Sequence, residues 1–259
     1  MATGIKLDSS KAPDPICEPC LSGKMHANPF PSSTTVLSST CEVIHSDLHG
    51  PVDVSTFGGY RYWVSYIDGK YKYRVVVLLK AKSDQFSAFK LYHAYVRNKG
   101  FRIGALQDDK GGEYMSKEMD AYCVEHGIVR RHTVRNRPQQ NGVAERFNRL
   151  LSEGITSMLS EANLPRQFWG EALNTFVHII NRCPTSSLRG MTPYEGWHGK
   201  KPDLSHLRVF GCTAYVHVQK DKRAQLGSHM QKCVFIGYPE GYKGWKFYNP
   251  TTKKVVISE

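Results

Sequence analysis

The chain has 259 residues, 40% of them apolar, with 35 Lys and Arg against 23 Asp and Glu, a net charge of +12 and a pI of about 9.3. That apolar content supports a packed core and excludes a disordered tail, and no run of ~18 apolar residues is present to form a transmembrane helix, so no membrane partner is expected. The basic balance favours a polyanionic partner, nucleic acid first; seven cysteines, an odd count with no signal-peptide stretch before them, favour reduced thiols in an intracellular protein.

Residues 1–40 are rich in Pro, Ser and Thr and read as an irregular lead-in carrying CEPCLSGK. The β-branched run CEVIHSDL predicts a first strand, and YRYWVSYID and YRVVVLLK predict two more, joined by a hairpin turn at Gly69-Lys70. Ser83 reads as the N-cap of a helix presenting Phe86, Phe89, Tyr92 or His93, and Val96 on one face and closing at Gly100. FRIGALQ predicts a strand ending at Asp108-Asp109, SKEMDAYCVEHG a helix capped by Ser116 and closed by Gly127, and IVRRHTV a further strand. After the loop RNRPQQNG, a long helix is predicted from Val143 to about Glu161, capped by Asn141, with Val143, Phe147, Leu150, Leu151, Ile155 and Met158 on its apolar face. A second apolar helix starts near Pro165 and stops before Pro184; beyond Pro202, VFGCTAYVHV, KCVFIGYP, WKFYNP and KKVVISE predict a small all-β unit. Residues 40 to 200 therefore predict a mixed α/β sheet with helices on its faces.

Three carboxylates stand out on this framework. Asp47 and Asp109 lie at the ends of apolar strands, and Glu145 lies in the first turn of a helix, where a carboxylate also complements the helix dipole. Thirty-five residues, 110–144, separate Asp109 from Glu145. Three acids on strand, strand and helix are suited to hold a pair of hard divalent ions, Mg²⁺ or Mn²⁺, a device for phosphodiester chemistry. Asp108 is a direct rival to Asp109, and Asp53, Asp68, Glu113 and Glu153 are further rivals that sequence does not separate from the set. Arg130, Arg131, Arg135, Arg137, Arg146 and Arg149 crowd the same stretch, and guanidinium groups suit bidentate phosphate contact. Gln139, Gln140 and Asn141 lie on a polar, Gly-containing loop suited to reach bases or phosphates.

Nearly the whole chain resembles the integrase region of a copia-type LTR retrotransposon Pol polyprotein. CEPCLSGK resembles the end of the pre-integrase zinc domain, HSDLHGP the first catalytic strand, and LQDDKGGEY the family's SDNGGEY; PQQNGVAER and MTPYEGWHGKKPDLSHLRVFGCTAYVHV are similar to its most recognisable strings. The resemblance implies an RNase H-like fold with a five-stranded mixed sheet flanked by helices, followed by a small SH3-like β unit. It divides the chain into a truncated zinc-domain remnant at 1–38, a catalytic core at 39–202 and an SH3-like domain at 207–259. It implies a polynucleotidyl transferase that binds two Mg²⁺ through Asp47, Asp109 and Glu145 and joins element DNA ends to target DNA. DNA contacts are expected from Arg131, Arg135, Arg137, Gln139, Gln140, Asn141, Arg146 and Arg149. RNA is a further candidate partner, the active form is expected to be a homo-oligomer, and the place of action the nucleus after a cytoplasmic particle stage.

Some residues depart from the family pattern. Lys110 replaces the usual Asn, YIDGKYKYR differs from the YIDDYSRY-like segment, and RNRPQQNG lacks the Thr/Ser-Pro lead. Cys17 and Cys20 offer two thiolates for Zn²⁺, but no His precedes them, and His26 and His45 do not fit the spacing, so the pair reads as half a site and zinc binding is not expected. The companion expectation is that the chain is part of a longer polyprotein. The alternative function is a catalytically inactive transposon remnant that binds nucleic acid. An RNase H-type hydrolase ranks below both, because that activity typically needs a Glu on the first helix and Ser83–Gly100 contains none.

Overall fold

The β-branched and aromatic runs form strands close to where the sequence places them. In the computed structural model, which describes residues 37–109, 114, 116–132 and 142–259, Val43–His49 (β1), Tyr62–Asp68 (β2) and Arg74–Leu79 (β3) make an antiparallel meander. Ala105–Asp108 (β4) pairs parallel to β1, and Val129–His132 (β5) pairs parallel to β4. The resulting sheet has the order β3-β2-β1-β4-β5. Parallel neighbours need crossovers; Gln85–Asn98 (α1) leads from β3 to β4, and Lys117–Glu125 (α2) connects β4 to β5. Gly142–Glu161 (α3) and Trp169–Ile180 (α4) follow.

Strand alternation sends successive side chains to opposite faces, and each face builds its own core. Ile44, Val64, Tyr66 and Leu106 pack under Phe89 and Tyr92 of α1 and Met119 of α2. Trp63 and Ile67 pack on the other side against Phe147, Leu151 and Ile155 of α3 and Leu173 of α4. This is the mixed five-stranded, helix-flanked RNase H-like arrangement that the sequence predicts.

Several local expectations are corrected. Ser83 is not a cap: it lies inside a 3₁₀ turn, Lys82–Asp84, in which Asp84 Oδ2 accepts from the Ala81 amide at 3.0 Å. The β2–β3 connection is not a two-residue turn at Gly69-Lys70 but spans 69–73, because buried Asp68 braces it by accepting from the amides of Cys41 at 2.7 Å and Tyr71 at 2.5 Å. FRIG of FRIGALQ stays outside β4. On α3, Leu150 faces solvent at 41% exposure while Ala144 and Asn148 turn inward. The short helix Pro193–His198 (α5) was not expected, although its signals stand in the sequence: Thr192 accepts from the Glu195 amide at 3.0 Å, Pro193 follows at the first helical position, and Gly199 ends it at φ 69°. Ser116 does cap α2, accepting from the Met119 amide at 3.1 Å. Asn141, Cys17, Cys20 and the rest of 1–36 lie outside the described residues.

Thr213–His217 (β6), Met230–Gly237 (β7), Trp245–Asn249 (β8) and Lys254–Ser258 (β9) form a separate antiparallel sheet in sequence order. Its inner residues Ile236, Val234 and Tyr248 join the same apolar cluster as α3 and α4. Thr175 of α4 donates to the Ile236 carbonyl at 3.4 Å, and Lys246 reaches Glu171 at 2.8 Å. Gly237 makes this approach possible: its φ is 137°, and a Cβ there would sit 2.5 Å from Thr175 Oγ1. Gly237→Ala is therefore expected to destabilise the chain by about 1–3 kcal/mol, read as a lower urea midpoint; an unchanged midpoint would mean that this contact is loose.

Candidate active site

The β1–β4 register decides which acids meet. Val43 pairs with Ala105, Ile44 with Leu106 and His45 with Gln107. Carried two residues further, the same offset sets Asp47 beside Asp109, with both side chains on the face covered by α3. Across the other edge of β1, Asp47 pairs with Ser65, whose hydroxyl donates to the Asp47 carbonyl at 3.3 Å.

Helix α3 supplies the third acid. Asn148 is buried and donates through Nδ2 to Asp47 Oδ2 at 2.7 Å, while its Oδ1 accepts from Trp63 Nε1 at 3.0 Å. Residues three apart on a helix share a side, so Glu145, one turn before Asn148, is directed to the same end of the sheet. Trp63 in turn stacks on His49 with centroids 4.2 Å apart. The sequence reading missed Asn148, Trp63 and His49; the available signal was the three-residue spacing from Glu145 to a polar residue within an apolar helical face.

Charge ties the acids together. Burial pushes the Asp47 carboxyl up to about 7; the hydrogen bond from Asn148 opposes this, and the negative charges of Asp109 and Glu145 add to it. Like charges crowded at a half-buried site favour a bound cation, and an all-oxygen donor set fits a hard ion such as Mg²⁺ or Mn²⁺. Among the described residues, no three His, Cys, Asp or Glu side chains are gathered tightly enough to hold an ion by themselves.

Because the Asp47 pKa rises on folding from the ordinary 3.8, its protonated form is the one folding favours. Its stabilising effect is whole below about pH 4 and is lost as pH climbs to about 7. The metal-free chain is expected to lose on the order of 1–3 kcal/mol between pH 5 and pH 8 from this group, and Asp47→Asn to abolish that loss. Urea titrations at both pH values measure it; an equal loss in the variant would assign the effect elsewhere.

The rival acids are placed differently. Asp108 points to the opposite face, is fully buried, and is held by Arg130 Nη2 and His132 Nδ1, each at 2.8 Å. Arg130 also donates to Asp120 at 3.0 Å and to the Tyr114 carbonyl at 2.9 Å. Asp68 braces the β2–β3 loop, Asp53 and Glu153 are exposed, and Glu113 lies outside the described residues. Of the basic residues, Arg131 is exposed on β5 in register with Gln107, on the carboxylate face, and Arg146 and Arg149 are exposed on α3. Arg135, Arg137, Gln139 and Gln140 lie outside the described residues.

Comparison with known proteins adds relatives and a fold. Residues 212–259 match the retroviral polymerase SH3-like domain. The chain is 41% identical over 243 residues to the retrovirus-related Pol polyprotein from transposon TNT 1-94 of Nicotiana tabacum, covering 93% of this chain and 18% of that protein. It is 33% identical over 223 residues to the retrovirus-related Pol polyprotein from transposon RE2 of Arabidopsis thaliana, covering 86% of this chain and 15% of that one. The chain thus spans less than a fifth of the length of either relative. Among solved structures, a chain of the simian T-cell lymphotropic virus intasome in complex with PP2A regulatory subunit B56 gamma superposes with a TM-score of 0.56 at 17% identity, over 88% of this chain and 84% of that one. That likeness is one of fold.

Proposed function

We propose, from the premise that this chain belongs to the copia-type retrotransposon Pol polyproteins and corresponds to their integrase region, that it is a metal-dependent polynucleotidyl transferase joining element DNA ends to target DNA. The observation that carries this reading is the β1–β4 register that sets Asp47 beside Asp109, with Asp47 locked by Asn148, one helical turn after Glu145. In this reading 39–202 is the catalytic core and 207–259 the SH3-like domain.

Asp47, Asp109 and Glu145 would hold the divalent ions. When bound, such ions supply Lewis acidity to the attacking and leaving oxygens and neutralise charge on the phosphate. The remaining work falls to the protein. Asn148 fixes one Asp47 oxygen, so the carboxylate keeps a single orientation. Arg131, Arg146 and Arg149 position phosphates beside the acids and offset the charge that builds in the transition state. The 3′-hydroxyl of the element DNA attacks the target phosphorus in line; one P–O bond forms and one breaks, with the freed 3′-oxygen leaving and no covalent enzyme intermediate. End processing follows the same course with water as nucleophile. Homo-oligomeric assembly on two DNA ends, in the nucleus, belongs to the same proposal.

The test pairs a duplex carrying the element end with a supercoiled target plasmid. Joined product is expected with Mg²⁺ or Mn²⁺ and none with EDTA. Salt-dependent DNA binding with no joining under any metal would favour the alternative, an inactive remnant that binds nucleic acid.

A further inference from the structure

At the end of the sheet away from the acids, the last turns of α1 and α2 and the segment leading into β4 enclose a depression of about 340 Å³. It is lined by His93, Arg97, Gly100, Phe101, Arg102 and His126. Six residues of mostly extended chain, 103–108, separate Arg102 from Asp109, on the order of 20 Å at strand rise. The depression is therefore separate from the carboxylate site.

We propose that this depression is a second phosphate-binding site, taking a phosphodiester of a DNA strand held away from the carboxylates. The proposal rests on the integrase reading and adds a contact to it. Four of the six lining side chains are cationic or become so on protonation, and none is acidic. Among the described residues, neither Arg97 nor Arg102 makes an ion pair or a side-chain hydrogen bond. Two guanidinium groups without an ion pair among the described residues, lining one concavity, are suited to grip a phosphate.

A second observation concerns His93. It is only 4% exposed, yet it lines the depression with its Nδ1 committed to Tyr122 Oη at 2.9 Å. Its ring lies 4.9 Å from that of His126, which makes a T-shaped contact with Tyr122 at 4.3 Å. Burial depresses the His93 pKa, and the positive charges of His126 and Arg97 depress it further. Gly100, at φ 78° with nothing within 4 Å of a built Cβ, leaves the mouth open. Cations at helix C-termini also complement the helix dipole, but that accounts for Arg97 and His126 alone; Arg102 is on no helix, and His93 lies on the buried face of α1.

The double variant Arg97→Gln/Arg102→Gln tests this by DNA-duplex anisotropy across a salt series. Lys200→Gln/Lys201→Gln, which removes the same charge from exposed residues outside the depression, is the control. The expected result is a slope of log K against log salt reduced by about 1–2 and affinity about tenfold weaker in the first variant, beyond any change in the control. In parallel, titration of the wild type with inorganic phosphate should move the imidazole resonances of His93 and His126. Equal behaviour of the two variants, with wild-type DNA binding intact, overturns this site and leaves the integrase reading standing. Movement by phosphate with an unchanged slope makes the ligand a free phosphate and overturns the DNA assignment. A wild type that does not bind DNA removes the integrase reading and this site with it.

Discussion

Glu145→Gln is expected to lower metal-dependent strand transfer by ~10³-fold or more, which corresponds to about 4 kcal/mol of transition-state stabilisation. The amide keeps the size of the side chain and loses the charge. Glu145 is exposed in the first turn of α3 and makes no core contact, so the fold should lose only the helix-dipole contribution of ~0.3–1 kcal/mol. Duplex binding should persist, since the proposed phosphate contacts are to arginines. The loss is therefore expected in turnover and not in affinity, a split that single-turnover joining assays resolve. A variant that keeps more than a tenth of wild-type joining, at equal metal concentration, would remove Glu145 from the site.

Asp108→Ala is expected to be the most damaging single change to stability. It strips the buried carboxylate from the part-buried Arg130 and from His132, leaving Arg130 only the exposed Asp120 and the Tyr114 carbonyl. Breaking a buried pair from one side costs ~3–5 kcal/mol, enough to approach the whole margin of an average domain. Its neighbour should behave in the opposite way. Asp109 is exposed just beyond β4, so Asp109→Asn is expected to fold normally and to lose joining. Urea denaturation and the joining assay on both variants decide the matter. If Asp108→Ala folds as wild type, or Asp109→Asn joins as wild type, the roles given to these adjacent acids are wrong.

That pair shows where sequence reasoning stops. Asp108 and Asp109 are equivalent as letters, each an acid at the end of an apolar run. Alternation along β4 and its pairing with β1 turn one into the sheet's buried ion-pair partner and the other toward Asp47. No local pattern carries that distinction, because the partner strand lies some sixty residues away in the chain and its register fixes which side chains share a face.

Most of the elements were legible in the sequence, since these rest on local physics: β-branched runs for β1 to β3, the Ser116 cap of α2, the positive-φ glycines at 100 and 127, and the apolar stripe of α3. It also singled out Asp47, Asp109 and Glu145 as candidates through residue type and spacing. What those side chains touch follows from strand register and packing. The tertiary structure revealed the relay from Trp63 through Asn148 to Asp47, turned Leu150 outward, and gathered His93, Arg97 and Arg102 around one hollow. Each of these depends on strand register or on helix-against-sheet packing, which are set by contacts between segments far apart in the chain, and a linear reading holds no term for them.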